Sequence, residues 1–270
     1  MAASSSNPAF ARNPVFNGKE VTPQTPTISA DGLQQMYERP AAGPSQTDRM
    51  SYDDVIIKTA GMFVILLATA VVAFLAMYPI PTVLGLGLVV VGALGAFVLG
   101  LVNAFKREPS VPLILAYAAL EGLAIGGISG IFEARWSGIV LQAVLATLAV
   151  FGVTLALFAN GKIRASKRAT KVFLIAMVGY GVFSLLNLVL MVTGVVTDPF
   201  GLRSGWIGIA IGLIAVLLAA YSLVLDFDSI QRGVKAGAPR KYGWSAAFGL
   251  VLTLVWLYLE LLRIIAIFRN

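Results

Sequence analysis

The sequence predicts an all-α integral membrane protein, a bundle of seven transmembrane helices. Three observations carry this. Hydrophobic residues make up 58% of the chain and charged residues 12%, with a mean hydropathy of +0.86; soluble domains hold about 25% charged residues. From Val55 onward, seven apolar blocks follow one another, each near the roughly 20 residues that a helix needs to cross hydrocarbon. The basic residues between those blocks alternate from dense to sparse, as loops on opposite sides of a membrane do.

Residues 1–50 are a tail rich in Ser, Pro, Asn and Gly, without helical period, and are expected to be a disordered cytoplasmic segment. A short repeat lies in it, Asn7-Pro8-Ala9-Phe10 and then Asn13-Pro14-Val15-Phe16. It reads either as flexible tail or as a docking motif for a membrane-protein partner. No short apolar block near Met1 suggests a signal peptide.

Residues 51–270 are expected to form the transmembrane domain. The spacing predicts spans at about 55–78, 82–105, 111–134, 138–159, 171–194, 204–228 and 243–268. Pro79 and Pro81 end the first block, and Lys106-Arg107-Glu108-Pro109 the second. Arg135-Trp136-Ser137-Gly138 separates the third from the fourth. The basic stretch from Gly161 to Lys171 follows. Asp198-Pro199 and Gly201 break the fifth from the sixth, and Gly233 to Lys241 precedes the seventh. With the N-terminus in the cytoplasm, the inner side holds Lys106, Arg107, Lys162, Arg164, Lys167, Arg168, Lys171, Arg232, Lys235, Arg240 and Lys241. The outer side holds Arg135, Arg203 and Arg269. This bias places the C-terminus outside and the protein in a cell membrane, multi-pass. The same alternation accounts for most of the +7 net charge. The expected partner is therefore the lipid bilayer rather than nucleic acid.

Cysteine and histidine are both absent. That removes disulfides, thiolate nucleophiles, the commonest metal ligand and the usual pH switch. The Gly-x-Gly-Asp pattern of aspartyl membrane proteases is absent too. No enzyme activity is expected, and no cofactor beyond calcium as a permeant or bound ion.

Gly122, Gly126 and Gly130 recur every four residues in the third block and make one smooth helix face, where another backbone can come close. Gly85, Gly92, Gly95 and Gly100 form a looser version in the second block, and Gly208 with Gly212 another in the sixth. These read mainly as packing signals.

Carboxylates within apolar runs carry the functional clue. An ionised group in hydrocarbon costs at least about 2.5–3.5 kcal/mol, so it persists where a partner, water or a proton offsets that cost. Glu121 falls about 15 Å into the third block. It reads either as a proton or cation site or as a neutral carboxyl bonded to a neighbouring helix. Asp226 lies near the inner end of the sixth block and is the better buried candidate. Asp228, two residues on, faces elsewhere and can pair with Arg232 at i+4 as an interfacial ion pair. Glu260 can be neutralised by Arg263 at i+3. Thr253, Trp256 and Glu260 lie at i, i+3 and i+7, a polar stripe on the last helix. Glu133 and Arg135 sit beside Trp136 at the outer interface.

The stretches Leu225-Asp226-Phe227-Asp228-Ser229-Ile230 and Leu257-Tyr258-Leu259-Glu260-Leu261-Leu262-Arg263 resemble the transmembrane Bax inhibitor motif family, also called Bax inhibitor-1-like. The likeness covers about residues 50–270, and its sharp motif the last two helices. The tail resembles that of bacterial, actinobacterial-type members. The resemblance implies a central helix ringed by the others, and a pH-sensitive calcium leak through a pair of aspartates on the sixth and seventh helices. Asp226 matches the first. Gapless alignment on the Leu-Leu-Arg ending puts Thr253 at the second, where nothing ionises. Glu121 is vertically nearer to Thr253 than Glu260 is, and is expected as a substitute carboxylate. The resemblance also implies a basic latch at the inner end of the second helix, where Lys106 or Arg107 stands. Asp226 is the candidate to meet calcium. The alternative function is a membrane scaffold or stress-response modulator of a partner membrane protein, without transport.

Overall fold

The computed structural model describes residues 48–198 and 200–269. The expected tail, with its Asn-Pro repeat and docking role, lies outside the described residues except for residues 48–50. Seven helices are long and apolar enough to cross a membrane. They are α1 (Tyr52–Met77), α2 (Val83–Phe105), α3 (Val111–Arg135), α4 (Ile139–Ala159), α5 (Lys167–Val192), α6 (Gly205–Lys235) and α7 (Gly243–Phe268). Short 3₁₀ turns at Gly201–Arg203 and Arg240–Tyr242 precede the last two. The described residues form no strand, only an isolated antiparallel bridge between Arg49 and Pro239.

Capping chemistry sets the ends that hydropathy leaves vague. Ser51 accepts from the Asp54 amide at 3.1 Å and starts α1 before the expected 55, with Asp53 and Asp54 favourably placed in the first turn. Ser166 does the same for α5, accepting from Ala169 at 3.2 Å, so α5 begins at Lys167 rather than 171. Helix α4 starts at Gly138, whose φ of 79° excludes an ordinary side chain. Its missing cap is supplied by Glu133, which accepts from the amides of Gly138 (2.5 Å) and Val140 (3.0 Å). Glu133 is therefore a capping residue as well as an interfacial one. Helix α6 runs on to Lys235, past the expected end at 228. Ser229, Ile230 and Gly233 stay buried, and the Asp228–Arg232 ion pair bridges that turn. An apolar block stops at a charge, but a helix need not.

Helix α7 is the hub: it contacts α1, α3, α4 and α6 and holds the most buried side chains. The glycine faces bring the rest together. A Cβ on Gly126 would collide with the carbonyl oxygen and Cα of Ala70, and one on Gly122 with Leu66 and Thr69, all on α1. A Cβ on Gly92 would stand 2.7 Å from the Leu120 carbonyl of α3, and one on Gly212 2.5 Å from Ile264 of α7. The packing reading of these glycines holds. Helix α3 also meets α7 through an edge-on Tyr117–Phe248 contact (4.9 Å between centroids) and a 2.6 Å Ser129–Tyr258 hydroxyl pair. Helix α5 is the least buried, with Val172, Ile175, Val178 and Val182 exposed as a lipid-facing surface.

The end of the bundle where Ser51 begins α1, here the proximal end, is closed by a strap. Met50 donates to the Ala238 carbonyl at 2.7 Å, and Arg240 donates back to that of Asp48 at 3.0 Å. Buried Asp54 accepts from Lys58 Nζ (2.6 Å) and Arg240 Nε (2.8 Å). Asp54→Ala strips the partly buried Lys58 of its counter-ion and should destabilise the bundle by roughly 2–3 kcal/mol. Asp48→Ala removes only an exposed pair with Arg240 and should lower the thermal midpoint far less. Thermal unfolding of the two variants in detergent, followed by size exclusion, checks that order.

Candidate functional site

Helix α6 carries Ser222, Asp226 and Ser229 at i, i+4 and i+7, one face turned inward, and all three are buried. Asp226 is fully inaccessible. Across the seam, Thr253 of α7 donates its hydroxyl to Asp226 Oδ2 at 2.7 Å, and Ser222 Oγ lies 3.5 Å from Thr253 Oγ1. One turn toward the proximal end, Arg232 Nη2 donates to Ser229 Oγ at 3.1 Å while the same guanidinium pairs with Asp228. The result is a line of small hydroxyls and one carboxylate along the packed faces of α6 and α7.

A second polar cluster lies further along the same face of α7, toward the opposite, distal end. Glu260 is buried and accepts from Tyr180 OH of α5, from Trp256 Nε1 (3.3 Å) and from both Nη atoms of Arg263. Arg203, from the 3₁₀ turn, donates to Tyr180 OH at 3.0 Å and to Ser184 Oγ, and stands 3.9 Å from Glu260. Two guanidiniums thus face one carboxylate. This cluster also holds the thinly packed α5 against the bundle.

The structure brings together Asp226 and Thr253, and separately Asp228 with Arg232 and Glu260 with Arg263. It does not bring Glu121 to Thr253. Thr253 bonds to Asp226 and Ser222, whereas Glu121 forms no hydrogen bond or ion pair among the described residues. The reason is helical phase. The α7 residues that meet α3, Phe248 and Tyr258, are each five positions from Thr253, about 140° around the helix. The expected substitute carboxylate is therefore not supplied by Glu121. Nor do Lys106 and Arg107 form a latch. Both are exposed at the end of α2, which packs on α3 and α1, and neither makes an ion pair among the described residues. The basic side chain that meets the Ser222–Asp226–Ser229 face is Arg232, through Ser229.

A family model described as Bax inhibitor 1 like matches residues 7–270. The chain belongs to the Bax inhibitor 1 like family. A search of curated proteins finds no match, and neither does a search of solved structures. In this Bax inhibitor 1 like chain, sequence reasoning missed Ser222, Ser229, Tyr180 and Ser184, and passed over Arg203 as an outer-loop cation. The two serines were signalled by their spacing from Asp226, four residues before and three after. Tyr180 and Arg203 carried no such signal, because they meet Glu260 only through tertiary packing.

Proposed function

We propose that this Bax inhibitor 1 like protein is a pH-sensitive cation leak path of a cell membrane, running along the seam between α6 and α7. The proximal end, which carries most of the basic residues, faces the cytoplasm in this reading. The observation that supports it is the fully buried Asp226 held by the Thr253 hydroxyl. A carboxylate among membrane helices is expensive, and such groups mark ion or proton pathways. The ionised carboxylate accepts the Thr253 bond with charge assistance and keeps the seam shut. Protonation leaves a neutral and weaker bond, and the seam loosens. Calcium takes six to eight oxygen ligands. One carboxylate and its neighbouring hydroxyls fall short of that, so the reading is passage of a cation rather than tight binding. No catalytic step is assigned, on a chain without cysteine or histidine.

Liposomes carrying the full chain should take up calcium and potassium faster than empty liposomes, and faster still as the pH is lowered. Uptake equal to that of empty liposomes at every pH rejects the reading.

A further inference from the structure

We infer that the distal cluster around Glu260 is the charge filter of this path, biasing it toward monovalent cations and against calcium. The inference rests on the leak reading and deepens it by naming the favoured ion class. Thr253, Trp256 and Glu260 share one face of α7, and Trp256 Nε1 donates to Glu260. Seven residues at about 1.5 Å each put the cluster roughly 10.5 Å beyond Thr253. The Arg263 guanidinium reaches the α6 backbone near Gly212, where a Cβ would stand 3.7 Å from its Nη2. An ion leaving Asp226 along this seam in the distal direction meets the cluster.

Its formal charge is +1, from Arg203 and Arg263 against Glu260. A tether for α5 needs one guanidinium for one carboxylate. The second guanidinium adds charge that the cluster does not neutralise, and both Nε atoms are buried without a hydrogen-bond partner among the described residues. Electrostatic barriers of this kind set selectivity in narrow pores. Coulomb energy scales with the charge of the passing ion. Whatever factor the cluster imposes on a monovalent cation, it imposes the square of that factor on a divalent one.

The test measures calcium and potassium uptake by liposomes containing the full chain, with size exclusion as the folding control. Arg263→Gln leaves Glu260 balanced by Arg203 and should raise the calcium-to-potassium ratio roughly tenfold. Arg203→Gln should move it the same way, and serves if the first variant does not fold. Glu260→Gln leaves two guanidiniums and should lower the ratio. A merely structural role would shift both kinds of variant in one direction; the filter shifts them in opposite directions. An unchanged ratio, or the same sign in both, overturns the filter. If Asp226→Asn alters the pH response while the ratio stays fixed, only the filter fails. If Asp226→Asn changes nothing, the seam reading fails. If the wild type passes neither ion at any pH, the leak reading fails and the filter fails with it.

Discussion

Asp226→Asn should raise cation flux at neutral pH and abolish its rise on acidification. Asparagine keeps the shape and still accepts a bond from Thr253, but without charge. Hydrogen bonds to charged groups contribute about 1.5–3 kcal/mol and neutral ones about 0.5–1.5. A loss near 1–1.5 kcal/mol would increase the open population about five- to twelvefold. The sign follows from the ionised form being the closed one. In the proposed reading the seam is tightest where Asp226 is charged and loosens on acidification, so acid should open the wild type. In the variant the Thr253 hydroxyl that bonds to position 226 does not titrate. Asp228 stays in its pair with Arg232 toward the proximal end. Flux measured in liposomes across a pH series decides the matter: a variant that keeps the wild-type slope rules out Asp226 as the gate. Thr253→Val, which removes the donor, should resemble Asp226→Asn at neutral pH.

Gly126→Leu should cost about 3 kcal/mol or more and leave little correctly folded protein. Overpacking by added methylenes costs roughly 1–3 kcal/mol where side chains can adjust. Here the obstacle is the Ala70 backbone of α1, which has no rotamer to change. Separating α1 from α3 would also undo the neighbouring contacts of Gly122 and Gly130 on α1. Gly61→Ala is the matched control. Its added Cβ meets nothing within 4 Å, and the better helix propensity of alanine should make it neutral or stabilising by up to about 1 kcal/mol. Thermal midpoints of both variants in detergent separate the cases. A Gly126→Leu protein as stable as Gly61→Ala would contradict the close approach of α1 and α3.

Most of the fold was legible because a membrane helix announces itself by length and apolarity, independent of its neighbours. The errors sat at the ends, where hydropathy is mute and a cap decides; Ser51 and Ser166 were readable by that rule and shift the starts of α1 and α5. The site divides in the same way. Local spacing exposed the Asp228–Arg232 and Glu260–Arg263 pairs, and could have exposed Ser222 and Ser229. The facing of Asp226 and Thr253 came from the likeness of the carboxy-terminal motifs, since no periodicity links residues 27 apart in sequence. Arg203 and Tyr180 lie 23 residues apart, and Tyr180 and Glu260 lie 80 apart. Partners at such separations emerge only once α5 and α7 have packed. Glu121 failed in the opposite way. Its depth suggested a shared site, but depth says nothing of the side of α7 on which a neighbour lies.

The central position of α7 bears on how the protein is made. A ribosome delivers the other six helices first, and α1, α3, α4 and α6 cannot complete their contacts until the seventh has entered the membrane. During synthesis α1, α2 and α3 can already pack on one another, while Asp226 awaits the hydroxyl that will meet it. Quality control therefore has a long window in which to act on each nascent copy, and a premature stop codon anywhere before Gly243 would leave a ring without its axle.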